Sequence, residues 1–477
     1  MFLTTNKYIV YLTLIFLGLL LRLYYANYES YWFDEQISFF VANPEISFKE
    51  TLIRSYSTDL SPVLYNLILK YYFTLFGYSP DLGRYLSILS GILGIIFLSL
   101  ISYQISKYKS LMLTLFLASF NIYLIKYSAE TRPYSTIFFL SSLNIFLFIK
   151  CFILKSKNIF LLFTFFIISI LTLLIHPFTI LIIGAQLFFI LLKDLNYKKI
   201  STNIYFFYTL VLLFFIILGY ENIKIAFSFN PPEFFIKNPE LSFYTNLYFS
   251  QFFGSRIMGV IYLLIFIFLL IKNYKLILKN DIYFFLTILF FSSIVIPILY
   301  GYIFNPILKD RYIIFIIIPI ISLISNLIYD SENIHLRKYL ILTIIISTGI
   351  NQFFEIFNKS HEKPDYVKII YELNKSQTKH VSVIAMDKVH PFMVDVKKED
   401  PLRERHIVEN YIANLDSLDK KFSIVDQDKI GEDINEIWLI CQVPMVDDCE
   451  KNIRITKNLK IEKSLSFYNL KSYLLKK

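Results

Sequence analysis

The feature that most limits what this chain can become is a series of long apolar runs. Ile, Leu and Phe continue almost without interruption over 8–23, 85–102, 137–152, 159–175 and 313–328. Several of these runs reach or approach the roughly 20 residues a helix needs to cross a ~30 Å hydrocarbon layer. Backbone polar groups find no partner in lipid, so such runs fold as helices. With 56% hydrophobic residues and only 12 Gly in 477, the composition fits neither an ordinary soluble enzyme nor a disordered chain. Lys7 ahead of the first run gives it the look of a secretory leader, but no small-residue cleavage site follows, and it is read as a true span.

Taken in order, the runs predict transmembrane helices near 8–26, 84–103, 110–126, 133–150, 158–175, 177–192, 203–220, 257–272, 282–303, 312–329 and 339–356, about eleven in all. The segment 62–77 is left out because it is short, carries Lys70 and several Tyr, and suits a helix lying in the interface. Charge supports that choice. With the N-terminus inside, the alternate loops hold Lys7; Lys107 and Lys109; Lys150, Lys155 and Lys157; Lys193, Lys198 and Lys199; Lys272, Lys275 and Lys279; and Arg337 and Lys338, all on the cytoplasmic side. The net charge of +10 thus reads as orientation, and the scattered cations make no basic face for nucleic acid. An abundance of Ile, Lys, Asn, Phe and Tyr points to an AT-rich bacterial genome and so to a bacterial cell membrane.

The chain changes character after residue 357. Charged residues become frequent from Glu362, and β-rich runs such as HVSVIAM and EIWLIC alternate with amphipathic stretches. The expected fold class is therefore an α-helical polytopic membrane protein, residues 1–357, followed by a small extracytoplasmic α/β domain, 358–477. Cys441 and Cys449 fall on the oxidising side, where a disulfide and two free thiols both remain open. Cys151 reads as structural.

Polar residues gather at one end of the spans. In the first outer loop, 28–83, YWFDEQISFF sets Asp34 beside Glu35, with Trp32 and Phe33 as interfacial anchors. A carboxylate there can take a proton from an acceptor hydroxyl or help hold a divalent cation, while the plainer reading is a helix cap. The turn SAETRPY carries Glu130, Arg132 and Tyr134. Arg is suited to phosphate by its planar fork, and its plainer reading is an interfacial Arg paired with Glu130. His176 before Pro177 reads as a helix-end hydrogen-bonding residue or, less simply, a site residue. NPILKDRY brings Lys309, Asp310 and Arg311 to an outer helix end, and Arg84 adds a cation at similar depth. There is no Gly-rich phosphate loop, no H-E-x-x-H and no zinc-spaced Cys/His cluster, so a membrane-delivered donor fits better than a nucleotide sugar.

WFDE at 32–35, SPVLYNLIL at 61–69, LFGYS at 75–79, GRYLSILSG at 83–91, Glu130 to Tyr134, and Arg311-Tyr312 with Pro319 occur in an order and spacing that resembles one family over residues 1–330. It is the polytopic C-type-fold glycosyltransferases that use polyprenyl-phosphate sugars, among them protein O-mannosyltransferases and the aminoarabinose transferases of lipid A. One departure is that the family's His-Pro-Pro is Leu60-Ser61-Pro62 here, so any role of that His is lost or moved. The resemblance implies an inverting hexosyl or pentosyl transfer to a glycan, lipid or protein acceptor. In it Asp34 is the base, and Glu35 supports it or binds metal. Arg84, Arg132 and Arg311 hold the donor phosphate, with Lys309 and His176 as further candidates. The outer loop 227–255 would cover the prenyl chain or shape the acceptor pocket, and the tail would bind acceptor. A lipid flippase or transporter is the competing class, and a polysaccharide ligase or polymerase another. The first would place charges and broken helices near the midplane, and the second a large outer loop late among the spans.

Overall fold

The computed structural model describes residues 2–58, 63–198, 200–221, 223–224, 236–357, 363–375, 378, 380–383, 403–415, 423–425, 434–442, 459–467 and 470–477. Helix α1 (Phe2–Tyr28) leads into three shorter helices, α2 (Phe33–Val41), α3 (Phe48–Thr58) and α4 (Val63–Phe76), before the next long one, α5 (Pro80–Ser106). With 14 residues, α4 is about 21 Å long, too short to cross. It lies against its neighbours through buried Leu69 and Phe73, and the Lys70 ammonium donates to the carbonyls of Asn43 and Ile46 at 2.6 and 2.7 Å.

Each expected span falls on helix. Among the described residues, seven helices are long and apolar enough to cross a membrane: Tyr8–Tyr28, Pro80–Ser106, Tyr134–Ile153, Pro177–Tyr197, Asp281–Ile303, Asp310–Tyr329 and Ile334–Phe357. Ile159–Ile175, Thr202–Leu218 and Arg256–Lys272 have 17 residues each, or about 26 Å. The span expected at 110–126 is not a single straight helix. It is α6 (Tyr108–Ser119) followed by α7 (Ile122–Ser128), bent by 56°.

The bend has an identifiable cause. Asn121 restarts the helix by accepting from the Leu124 N–H at 2.9 Å, and its amide donates to the Phe252 carbonyl at 2.8 Å. Breaking the helix frees carbonyls that water cannot reach, and side chains satisfy them instead. Gln352 donates to the Phe120 carbonyl at 2.5 Å. Arg22, fully buried on α1, donates to the carbonyls of Ala118 and Ser119 at 3.4 and 3.0 Å and to Ser128 Oγ at 3.2 Å, so one guanidinium joins both halves of the broken helix.

Helix α5 packs along α8 (Tyr134–Phe148), which carries the turn at 129–133 at its N-terminal end. The approach is close because α5 presents Gly94, where a Cβ would lie 2.4 Å from the Phe138 ring; Gly91 likewise lets α7 come close, a Cβ there lying 2.2 Å from Ser128 Oγ. Farther along, Ser102 of α5, Ser110 and Thr114 of α6, and Ser325 and Asn326 of the Asp310–Tyr329 helix form a buried polar chain. Asn326 donates to Ser102 Oγ at 2.6 Å, and Ser110 donates to Asn326 Oδ1 at 2.6 Å.

The tail contains a five-stranded sheet in the order β2-β1-β3-β5-β4, from β1 (His380–Val383), β2 (Ser423–Ile424), β3 (Glu436–Gln442), β4 (Lys460–Phe467) and β5 (Leu470–Lys476). β1 runs parallel to β2 and β3, while β3, β5 and β4 are antiparallel. Helices Tyr366–Lys375 and Arg403–Ala413 complete the α/β arrangement, and the second packs on α2. Cys441 is disulfide-bonded, Cys449 lies outside the described residues, and Cys151 is a buried free thiol.

Replacing Arg22 with Met is expected to cost roughly 2–3 kcal/mol, because it strands buried carbonyls at the bend. Thermal unfolding in detergent measures this. A melting temperature equal to wild type would show that the bend does not depend on Arg22.

Candidate active site

Helix α2 starts directly after the extended Trp32, and its first turn carries both acidic residues. The two carboxylates have different surroundings. Glu35 is fully buried, and Arg84 grips it with both arms, Nε to Oε1 at 3.1 Å and Nη2 to Oε2 at 3.2 Å. The Thr131 N–H donates to Oε1 at 2.9 Å, the Lys363 ammonium to Oε2 at 2.9 Å, and the Trp32 N–H to Oε2 at 3.3 Å. Burial alone would raise this carboxyl's pKa, but Arg84 and Lys363 outweigh it and hold it below the usual carboxylate range.

Arg84 is spent on this arrangement. Only 4% exposed, it also donates through Nη1 to the carbonyls of Ala26 and Glu29, and it lies over the Tyr31 ring at 4.7 Å. The residue expected to face a donor phosphate therefore faces inward. Tyr31 bonds to the Pro80 carbonyl and Thr131 Oγ1, and its ring stacks on Tyr411 of the tail at 5.2 Å.

Asp34 sits at the rim, its side chain 24% exposed, with Arg311 Nη1 at 3.6 Å from Oδ2. Arg311 lies among the rings of Trp32, Tyr134 and Tyr312 at 5.7, 5.7 and 5.6 Å, and its Nε is buried with no hydrogen-bond partner among the described residues. Arg132 does not reach the Asp34 carboxylate. It donates to the Asp34 carbonyl at 3.1 Å and to Ser38 Oγ at 2.9 Å, fixing the first turn of α2 from outside. Lys309 stands close enough to feel Asp34, Asp310 and Arg311. Burial and then Arg311 push its pKa down, with Asp34 and Asp310 acting against them. The Asp310 carbonyl accepts from Tyr123 Oη at 2.7 Å. Glu130 pairs with Lys363 at 3.1 Å; burial raises its pKa, since the one Lys363 is shared with Glu35. His176 caps the short helix after it, its Nδ1 accepting from Phe178 N–H at 3.3 Å, and its ring lies 5.2 Å from that of Tyr312.

The sequence-predicted residues thus converge, and they sort into a half-buried set at the rim, Asp34, Arg311 and Lys309, and an inner set held by ion pairs, Glu35, Arg84 and Glu130. Glu35 is not free to hold a divalent cation. Both Glu35 oxygens already face cations and N–H groups, and among the described residues no three His, Cys, Asp or Glu side chains are grouped to hold a metal ion. Lys363, Thr131, Ser38 and Tyr411 were missed. Lys363 follows the last apolar helix within the polar HEKPD stretch, where its neighbours read as a helix start, and nothing in its spacing points 328 residues back to Glu35. Ser61 and Pro62, and residues 227–235 of the aromatic outer loop, lie outside the described residues.

No family model matches the sequence, and no curated protein sequence matches it. Solved structures do match. ArnT from Cupriavidus metallidurans bound to undecaprenyl phosphate superposes with a TM-score of 0.57 at 9% identity, over 99% of this chain and 97% of that one. The chain has the ArnT fold. The apo form of the same ArnT gives 0.56 over the same shares. The archaeal oligosaccharyltransferase AglB from Archaeoglobus fulgidus, in complex with an inhibitory peptide and a dolichol-phosphate, gives 0.50 at 9% identity over 94% of this chain and 71% of AglB. The ArnT match covers the tail as well as the long apolar helices, so the shared fold extends through both parts of the chain.

Glu35→Gln leaves Arg84 buried without its counter-ion, at an expected loss of about 3–5 kcal/mol at neutral pH. Because folding lowers the Glu35 pKa, its stabilisation is present above the ordinary value of 4.5 and fades as pH falls through the lowered one. Folding raises the Glu130 pKa, so the stability linked to its protonation is present below 4.5 and fades as pH rises through the raised value. Melting curves from pH 4 to 8 should therefore place Glu35→Gln below wild type and Glu130→Gln at or above it at neutral pH. On acidification the Glu130 difference should shrink across this range, while the Glu35 difference should hold until the pH falls below 4.5. The reverse order would contradict the two environments.

Proposed function

We propose that this protein is an integral membrane glycosyltransferase that moves a sugar from a polyprenyl-phosphate carrier to an acceptor at the extracytoplasmic face, with inversion at the anomeric carbon. The observation that carries the reading is Asp34: a rim carboxylate 3.6 Å from Arg311, in a chain that shares the ArnT fold over 99% of its length. The ArnT and AglB structures hold undecaprenyl phosphate and dolichol-phosphate, which supports a polyprenyl-phosphate donor for the same fold here. The distribution of Lys among alternate loops supports placing this end of the spans outside.

The chemistry follows from the two layers of the site. Asp34 takes the proton as the acceptor oxygen or nitrogen attacks the anomeric carbon. The bond from that carbon to the phosphate oxygen breaks, and the polyprenyl phosphate leaves with one more negative charge. Arg311, with Lys309 beside it, meets that growing charge; Arg311 is already fixed among aromatic rings and needs no reorganisation. Arg132 holds the turn that aims Asp34, and Tyr134 helps hold Arg311. Glu35 and Arg84 form the rigid floor. His176 acts through the ring of Tyr312, and Asp310 through the backbone beside Arg311.

Purified protein incubated with radiolabelled polyprenyl-phosphate sugars and a membrane extract as acceptor source tests the reading. Asp34→Asn should lower transfer of the accepted sugar by about 10²–10⁴ while donor binding persists. Unchanged transfer in a folded Asp34→Asn variant would rule out Asp34 as the base. Release of no sugar from any carrier by wild type would count against the transferase reading.

A further inference from the structure

The tail does more than follow the membrane helices; it places a charge inside the site. Lys363, with its side chain 14% exposed, has its ammonium 2.9 Å from Glu35 Oε2 and 3.1 Å from Glu130 Oε1, and 5.9 Å from the Trp32 ring centroid. Those three partners come from two separate pieces of chain, the first turn of α2 with Trp32 before it, and the turn at 129–133. Each piece also bears on Asp34. Glu35 is its neighbour in α2, and Arg132, two residues after Glu130, bonds to the Asp34 carbonyl at 3.1 Å. Thr131 adds a further polar link between the two pieces, its N–H donating to Glu35 Oε1 at 2.9 Å.

Charge shows why that link needs a cation. Glu35 and Glu130 bring two negative charges to a buried spot, and Arg84 reaches only Glu35. Lys363 supplies the second positive charge, so the group of four is neutral. Without it, two carboxylates would repel across the joint between the turns, directly behind Asp34. The tail is seated around the same point by two further contacts. Tyr411 accepts from the Tyr31 N–H at 3.2 Å, and Asn410 donates to Tyr78 Oη at 2.7 Å.

Building on the transfer reading above, we propose that Lys363 is a positioning residue: the tail completes the active site by inserting this ammonium between Glu35 and Glu130, and so fixes the Asp34 turn against the Arg132 turn. The tail is then a structural part of the catalytic centre, and Lys363 touches neither donor nor acceptor.

Five full-length proteins test this: wild type, Lys363→Met, Lys363→Arg, Glu130→Gln, and Lys363→Met combined with Glu130→Gln. Each is assayed for transfer below its melting temperature, with kcat and KM for the donor determined separately. Lys363→Met should lose at least tenfold in kcat, with donor KM within about threefold of wild type. Lys363→Arg should recover most of the loss, and the double variant should recover part of it, because removing the second carboxylate restores neutrality. A kcat within twofold of wild type in Lys363→Met, or a loss confined to KM, overturns the proposal, as does a double variant worse than Lys363→Met alone. A thermal double-mutant cycle between positions 363 and 130 adds a readout without turnover, and additive melting shifts would likewise overturn the link. If wild type transfers no sugar, the transfer reading fails by itself, and the cycle still decides whether Lys363 joins the two turns.

Discussion

The buried ion pair of Glu35 and Arg84 is the interaction on which the rest of the site depends. A carboxylate and a guanidinium out of water are costly unless each finds a full set of partners. Here each does: Glu35 accepts from Arg84, Thr131, Trp32 and Lys363, and Arg84 donates to Glu35 and to two carbonyls at the end of α1. Those bonds tie together α1, α2, α5, the 129–133 turn and the tail. By absorbing the buried charge, the pair leaves Asp34 as the carboxylate at the rim, with a cation in front of it. Adjacent residues of the same chemical type thus take opposite roles because α2 turns one inward and the other outward.

A related constraint acts lower in the helices. α6 and α7 break within an apolar region, and the break is tolerable only because Arg22, Asn121 and Gln352 take up the groups it exposes. The restarted α7 carries Ser128 to the junction with α5, and the turn that follows holds Glu130, Thr131 and Arg132. The bend and the site are therefore parts of one construction, in which buried polar side chains stand where water would otherwise be needed.

Much of this was legible in the sequence. Apolar length alone placed the spans on helices, and WFDE, the Arg84 segment, Glu130 to Tyr134 and Arg311, picked out by their order, lie together in the structure. What the sequence did not carry was how the charges pair. Arg84 and Arg311 look alike in a string of letters, yet one is sealed against Glu35 and the other lies in an aromatic surround at the rim. The different surroundings of Asp34 and Glu35 were hidden for the same reason, since adjacency in sequence says nothing of Lys363 arriving from the tail. The bend at Asn121 was hidden because no Pro marks it, and Arg22, which satisfies the carbonyls it frees, sits in a run that reads as a uniform span.

The account's central claim is that one rim carboxylate, Asp34, drives a single direct displacement while Glu35 stays locked in its ion pair. The anomeric configuration of the transferred sugar, read by proton NMR on product made from a donor of known configuration, tests this most directly. A single displacement predicts inversion in every product molecule. Retention would require a second carboxylate to act as a nucleophile, and it would contradict both the role given to Asp34 and the structural role given to Glu35.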